Sequence, residues 1–320
     1  MPGIGMSTTL EDVALPDTTA VTAPAAARRP GLLRQAFRHP GVLLGSVILL
    51  VIVALALLAP VLGTTDPARI DPTFRNKLPG TARALTDPAT GVTAPFTHRM
   101  GTDSLGRDVH SRVLHGARVS LVVGLAVAVL SVAVGLAIGL VSGYVRWLDG
   151  VVMRLMDGLM AIPGILLALA LVALWGAGLT TVILAIAVPE IPRVVRLVRS
   201  VVLSVREEPY VEAAVSLGTP VPLILARHIL PNTTAPLIVQ ATYVCASAIL
   251  VEAILSFLGV GIPTDTPTWG NIMAEGRTLF RVFPHTILFP GAFLAATVLA
   301  VNMLGDGLRD TLDPKLARRF

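Results

Sequence analysis

The sequence predicts an all-α membrane protein with six transmembrane helices. Hydrophobic residues make up 54% of its 320 residues and charged residues only 14%, whereas an ordinary soluble domain has roughly 25% charged residues. So apolar a chain has too few polar side chains to cover soluble domains of this length. Long uncharged stretches and an uneven distribution of arginine complete the pattern. The single cysteine, Cys245, excludes an internal disulfide and a thiolate zinc cluster.

The first predicted span covers residues 41–62. No charged residue occurs between Gly41 and Thr65, and a helix needs about 20 apolar residues to cross the ~30 Å hydrocarbon core. A signal peptide is the alternative, but its apolar core has roughly 7 to 15 residues and lies near the start of a chain. We therefore expect the span to be retained. Residues 1–40 are low in complexity and are predicted to be a cytoplasmic, largely disordered segment.

A long external loop, residues 63–118, and a second span follow. The first part of the loop is rich in proline, glycine and threonine and is predicted to be irregular. Thr102 or Asp103 can cap an interfacial helix that leads into the membrane. The second uncharged run, Val119–Val145, is predicted to pack closely against other helices. Its small residues are Gly124, Ser131, Gly135 and Gly139.

The third and fourth spans share one uncharged run of 32 residues from Gly158 to Pro189. This run is too long for one helix of ordinary tilt, and a Gly-Ala-Gly sequence at residues 176–178 divides it. The fourth span must continue through Pro189, Glu190, Pro192 and Arg193. We therefore predict that its inner end is kinked and partly hydrated.

The last two spans are predicted at Thr233–Val260 and Val282–Gly305. Residues 119–305 thus form a five-helix core, and residues 306–320 a cytoplasmic tail. The fifth span contains an acidic residue, Glu252. Because a charged side chain facing lipid is costly, Glu252 is a candidate pathway or interior polar residue, as is Asn302 in the sixth span.

The arginine distribution predicts the orientation. With six crossings both termini lie on one side, and the segments on that side hold 15 basic residues against 10 on the other. The positive-inside rule then places both termini in the cytoplasm.

Several function classes are excluded by missing motifs. A Walker A motif needs Gly-Lys-Ser/Thr, but the only lysines are Lys77 and Lys315, which follow asparagine and proline. No histidine is followed by glutamate, so there is no HExxH zinc site, and there is no GxSxG nucleophile turn. No basic run indicates nucleic-acid binding. The chain is therefore predicted to be a non-catalytic subunit that binds no cofactor or metal.

The cytoplasmic segment between the fourth and fifth spans, residues 206–232, carries the most specific pattern. Pro209 suits a first helical position and Gly218 a C-terminal stop, so a short helix is predicted over Pro209–Leu217. Thr219 is predicted to cap a second short helix that ends at Leu230, before Pro231. On physical grounds alone, an amphipathic connector lying on the lipid headgroups is an equal alternative.

This segment resembles the EAA loop of ATP-binding-cassette (ABC) importer permeases. The residues that carry the resemblance are Glu212, Ala213, Ala214, Gly218, Leu230 and Pro231. His228 departs from the general pattern, which has isoleucine there, but Arg-His-Ile-Leu-Pro is typical of the peptide-importer branch. The resemblance implies that the loop docks in a cleft of the ATPase, that Glu212 contacts the ATPase and that Gly218 permits the turn.

Other segments are similar to the C-type subunit of dipeptide, oligopeptide and nickel importers. They are His98–Asp108 with its continuation to Leu121, Leu255–Arg277 and Asn302–Pro314. The resemblance implies a type I ABC importer permease fold in a bacterial inner membrane. It also implies a homologous second permease, an extracellular substrate-binding protein, and two ATPase subunits that hold ATP and magnesium.

Three alternatives remain open at this point. The same architecture could import nickel, glutathione or another small solute instead of di- or oligopeptides. An ion-driven secondary transporter would be expected to have more intramembrane acids than Glu252. A membrane scaffold or receptor is disfavoured by the EAA loop and by the lack of a sizeable soluble domain.

Overall fold

The computed structural model describes residues 39–86, 91 and 93–312. The predicted disordered segment, residues 1–40, lies outside this range except for its last two residues. Residues 313–320 of the predicted tail also lie outside the described range.

The described residues form ten α-helices and one β-hairpin. The helices are α1 Pro40–Leu57, α2 Val109–Tyr144, α3 Arg146–Ala161, α4 Gly164–Trp175, α5 Leu179–Val205, α6 Pro209–Ser216, α7 Val221–Ile224, α8 Leu230–Phe257, α9 Trp269–Gly276 and α10 His285–Leu312. The hairpin pairs β1 Thr81–Thr86 with β2 Thr93–His98 in antiparallel fashion. Single 3₁₀ turns cover Ala59–Val61, Pro72–Phe74 and Arg277–Leu279, and a π-helical turn covers Leu225–Ile229.

The helices confirm a multi-pass membrane protein. Four helical stretches of the described chain are long and apolar enough to cross a bilayer: α1, α2, α10 and the run Val221–Phe257 that ends with α8. Helices α3 and α4 add a fifth if they count as one span, although they are bent by 87° at their junction. Helix α5 carries a glutamate and three arginines and is not in this group.

Small residues let α2 pack closely on α5, as the sequence predicts. Gly135, Gly139 and Gly143, spaced one turn apart, face three valines of α5. A Cβ atom added to these glycines would lie 2.6, 2.7 and 2.9 Å from the Cβ atoms of Val194, Val198 and Val202. The valines are fully buried. The close contact between α2 and α5 therefore depends on the absence of side chains along one face of α2.

The expectation of an irregular external loop is wrong at residues 81–86 and 93–98, which form the two strands of the hairpin. Along β1 half-buried and exposed residues alternate, as in a strand with one covered face. One of the half-buried residues of β1 is Arg83. Its guanidinium lies 4.5 Å from the centre of the Phe74 ring and pairs with Asp71. Because the covered face uses an arginine, the hydrophobic alternation that would predict a strand is absent from the sequence.

The predicted interfacial helix begins later than Thr102 or Asp103. Residues 99–108 are non-helical, and α2 begins at Val109 and continues for 36 residues without a break. Asp108 caps this helix, because its carboxylate accepts a 2.7 Å hydrogen bond from the backbone N–H of Ser111. Asp103 instead accepts hydrogen bonds from the backbone and side chain of Arg107.

The boundaries of the third and fourth spans need correction. The break at residues 176–178 is confirmed, since α4 ends at Trp175 and α5 begins at Leu179. However, a second break at Ile162–Pro163 leaves α4 with only 12 residues. Helix α5 continues through Pro189 and Pro192 to Val205, as predicted; within this stretch Glu190 is buried and Arg193 is exposed.

Candidate functional site: the segment between α5 and α8

The segment that follows α5 begins with the predicted short helix. Pro209 is its first residue, where a missing N–H leaves no hydrogen bond unmade. The helix ends at a tight turn in which Gly218 has φ +76°. The backbone N–H groups of Gly218 and Thr219 donate to the carbonyls of Val215 and Ala214 at 2.9 and 3.1 Å. These two bonds define a Schellman motif, which strongly favours glycine at the left-handed position.

The second half of the segment differs from the prediction. Pro220, not Thr219, is the N-cap of α7, and it provides no side-chain hydrogen bond. Pro231 does not end a helix, because the chain runs from α7 through the π-helical turn directly into α8. The wider turn bonds the N–H of Leu230 to the carbonyl of Leu225. The π-helical turn ends two residues before Pro231, which has no N–H group for the hydrogen bond of a regular helix.

The segment has a buried face and an exposed face. Four apolar side chains anchor it to the helix bundle: Val211, Ala214, Ile224 and Ile229 are all buried. Glu212, Ala213 and Gly218 are exposed on the opposite side. The side chain of Leu217, at the tip, is 86% exposed. An exposed apolar tip beside an acidic residue, held on a buried base, is suited to binding another protein.

A polar contact ties the two ends of the segment together. The side-chain amide of Asn232 donates to the Tyr210 hydroxyl at 3.2 Å and to the backbone carbonyl of His228 at 2.6 Å. The rings of Tyr210 and His228 lie 5.9 Å apart. Helix α6 is therefore connected to the start of α8, where Leu230 is half-buried and Pro231 is exposed.

Ion pairs hold α5 to α3 just before the segment. The Arg199 guanidinium binds both carboxylate oxygens of Asp149, and Arg196 donates to Asp157 at 2.5 Å. The sequence contains a signal for them, since the arginines are three residues apart and the acids two helical turns apart. The bend between α3 and α4 lies at Pro163-Gly164, a turn signal from which the sequence could have predicted it.

The candidate residues in the spans have different environments. Glu252 is fully buried in α8, where the hydroxyls of Ser256 and Ser120 donate to its carboxylate at 2.8 and 3.3 Å. Asn302 is half-buried in α10. The two residues are thus interior or partly interior, and both lie outside the segment that follows α5.

A cavity of about 640 Å³ lies between α5, α8 and α10, next to the segment. Leu197, Pro236 and Val239 supply apolar lining, and Asn232, Gln240, Tyr243 and Arg309 supply polar groups. None of these polar residues was a candidate from the sequence. Three of them lie on α8 and Arg309 lies on α10, so only the fold brings them together.

Comparison with known proteins identifies the family. Residues 131–318 match the family model described as the inner membrane component of binding-protein-dependent transport systems. The matched region is more than half of the chain and includes the segment between α5 and α8. The chain belongs to this family of permeases. Residues 32–79 also match the N-terminal transmembrane domain of oligopeptide transport permease C. The resemblance to the C-type subunit of peptide ABC importers is therefore confirmed.

Similar permeases cover nearly the whole chain. A probable peptide ABC transporter permease of Sinorhizobium fredii is 53% identical over 90% of this chain and 94% of its own. A di/tripeptide transport system permease of Pseudomonas aeruginosa is 42% identical over 88% and 91%. A glutathione transport system permease of Escherichia coli is 46% identical over 68% and 73%.

The permease also has a buried ionic network, in a region that neither family model covers except for α9. Arg107 and Arg112 both bind Glu275 of α9, and Asp103 lies 2.8 and 3.6 Å from them. The two arginines and Asp103 are buried. All four residues lie in the segments whose sequences resemble the C-type subunit. The network links helix α9 to the stretch that precedes α2 and to the first turn of α2.

Proposed function

We propose that this chain is the C-type permease subunit of an ATP-driven importer of di- or oligopeptides in a bacterial inner membrane. In this proposal it forms half of the translocation pathway and a homologous second permease forms the other half. The family match and the peptide permeases at 42–53% identity carry the proposal. An extracellular binding protein delivers the substrate.

The proposed topology has six crossings with both termini in the cytoplasm. Helix α5 is the additional crossing, since its 27 residues extend about 40 Å, enough to span a bilayer. Its charged residues then lie in the inner half, where the ion pairs to α3 partly neutralise them. This orientation puts residues 63–118 outside and residues 206–232 inside.

In the proposed mechanism residues 206–232 are the coupling segment. Glu212, Ala213, the turn at Gly218 and the exposed Leu217 form the surface that enters a cleft on one of two partner ATPase subunits. Those subunits bind ATP and Mg²⁺. When they close, the buried base of the segment transmits their motion to α5 and α8 as a rigid-body movement. The exposed tip and the buried base of the segment support this coupling role.

The substrate class rests on relatives. Permeases named for peptides cover 88–90% of this chain, whereas the glutathione permease covers 68%. Glutathione is itself a tripeptide, and both substrates are small solutes with free carboxylates. Nickel remains an alternative that the same architecture could serve.

The deciding experiment is to purify the chain with an affinity tag from its native membrane under mild conditions. We expect a homologous permease and P-loop ATPase subunits to copurify, and the reconstituted complex to take up alanyl-alanine only with ATP and the binding protein. Uptake driven by a proton or sodium gradient without an ATPase would instead identify an ion-driven secondary transporter. ATP-dependent uptake of nickel but not of peptide would correct the substrate alone.

A further inference from the structure

Arg193, an exposed arginine at membrane depth, has no role in the function described so far. Its side chain is 56% exposed, and its Nη1 donates to both carboxylate oxygens of Glu190 at 3.1 Å. Glu190 is buried and also accepts a 3.1 Å hydrogen bond from the Ser247 hydroxyl of α8. Among the residues that the structure describes, none accepts a hydrogen bond from the Nε–H or Nη2–H groups of Arg193. Two guanidinium donors are thus free to bind a ligand.

The position of Ser247 gives the depth of this group. Ser247 lies ten residues from the outer end of α8, which is about 15 Å along a helix and therefore near the middle of the hydrocarbon core. Glu190 is at the same level because it bonds to Ser247. An arginine this deep is expected to face a water-filled space or another protein rather than lipid.

The direction of the side chain supports a wet pathway. An arginine in the inner half of a span that only avoids lipid extends toward the cytoplasmic surface. In the orientation proposed above, Glu190 lies one turn closer to the outside than Arg193. The guanidinium therefore reaches toward the membrane centre, where Glu190 holds it.

The group lies one helical turn beyond the cavity that α5, α8 and α10 line. Leu197, one turn from Arg193 on α5, lines the cavity, as does Tyr243, one turn from Ser247 on α8. Residues four apart share a helix face, so Arg193 and Ser247 continue the two cavity walls outward. Below them, Gln240 and Asn232 offer side-chain amides that can bond to peptide groups.

We propose that Arg193 is a specificity-determining residue that binds the C-terminal carboxylate of the peptide as it moves along the face that α5 and α8 share. A guanidinium with two free, parallel donors matches a carboxylate in bidentate geometry. Glu190 fixes the guanidinium and leaves those donors available. This inference rests on the proposed peptide-import function, and it adds the part of the substrate that the permease itself recognises.

The test uses the purified complete complex without the binding protein, so that only the permease selects the peptide. A photo-crosslinking amino acid replaces Val239 in the cavity lining, and radiolabelled alanyl-alanine or its C-terminal amide is added. We expect the free acid to crosslink at least fivefold more than the amide. Arg193→Gln should reduce this ratio to about one, and Arg193→Lys should restore most of it.

Arg309→Gln is the matched control, because it removes a positive charge from the same cavity at its inner end. This variant should retain the preference for the acid. An unchanged ratio in Arg193→Gln, or loss of the ratio in Arg309→Gln alone, would overturn the inference. Loss of the second permease on purification of Arg193→Gln would show that Arg193 is an interface residue instead. Each of these results leaves ATP-dependent peptide uptake by the wild-type complex, the test of the proposed function, unaffected.

Discussion

The contact between α2 and α5 should be disrupted by one methyl group at Gly135. A Cβ at this position would lie 2.6 Å from the Cβ and 2.7 Å from the Cγ1 of Val194. Since carbon atoms pack best at 3.5–4.0 Å, the helices would have to separate by about 1 Å. Overpacking of this kind destabilises a protein by about 1–3 kcal/mol. We therefore expect Gly135→Ala to lower the thermal midpoint of the detergent-purified complex by roughly 2 to 12 °C.

Two further variants make this prediction specific. Gly150→Ala is the matched control: Gly150 lies in α3 with no atom within 4 Å of an added Cβ, so the change should be neutral or stabilising by up to about 1 kcal/mol. Val194→Gly removes both clashing atoms and leaves only the Ile191 carbonyl at 3.3 Å. Combined with Gly135→Ala, it should recover about 1 kcal/mol relative to the sum of the single changes. A Gly135→Ala complex as stable as Gly150→Ala would refute the close packing described for this helix pair.

Three other predictions concern the interior, the external hairpin and the topology. Glu252→Gln should preserve assembly and change transport at most severalfold, because the amide oxygen can accept from one serine hydroxyl and the amide nitrogen can donate to the other; loss of the assembled complex would show that the charge itself is required. Hydrogen bonds from Thr73 and Arg83 lower the pKa of Asp71 to about 2 from 3.8, so this contact should stabilise the hairpin at pH 4 and above and be lost as the pH falls from 3.8 through 2. Amide hydrogen exchange of the hairpin should show this loss, and an Asp71→Asn permease should lack the pH dependence. In a chain without its native cysteine, Ala94→Cys should react with an impermeant thiol reagent in intact cells and Ser216→Cys should not; the reverse labelling would overturn the orientation.

The features that the sequence predicted are those encoded by neighbouring residues. The apolar runs predicted α1, α2, α8 and α10, the helices long and apolar enough to span a bilayer, because burial in lipid depends on composition over about 20 residues. Pro209 and Gly218 predicted a short helix, because proline fixes φ at the first helical position and glycine permits the left-handed turn that ends the helix. The small residues of α2 predicted close packing, although only the fold shows that α5 is the partner.

The features that could not be predicted depend on residues far apart in the chain. Arg83 faces inward in the hairpin because its guanidinium lies over the Phe74 ring and pairs with Asp71. A search for alternating apolar residues does not detect a strand of this kind. The proline at residue 231 continues a helix because a π-helical turn precedes it. Glu190 could be paired with Arg193 from their spacing, but its bond to a serine 57 residues away requires the fold.

The turn at Gly218 provides the most direct test of the coupling proposal, because the chain contains a matched turn elsewhere. Gly259 follows α8 with φ +81° and the same pair of hydrogen bonds, and an added Cβ meets no atom within 4 Å at either glycine. A valine should therefore cost about 1–2 kcal/mol of local strain at both positions. Only Gly218, however, lies on the surface proposed to enter the ATPase.

Peptide transport and retention of the ATPase subunits are measured in reconstituted complexes. Gly218→Val is compared with its control Gly259→Val. Glu212→Lys is compared with its control Asp265→Lys, which changes another exposed acid. We expect all four chains to reach normal membrane levels. Gly218→Val and Glu212→Lys should retain the ATPase subunits poorly and lose transport, and any remaining ATP hydrolysis should not respond to the loaded binding protein. The two controls should transport near the wild-type rate. Wild-type transport by Gly218→Val and Glu212→Lys, or equal losses in variants and controls, would contradict the coupling role of residues 206–232.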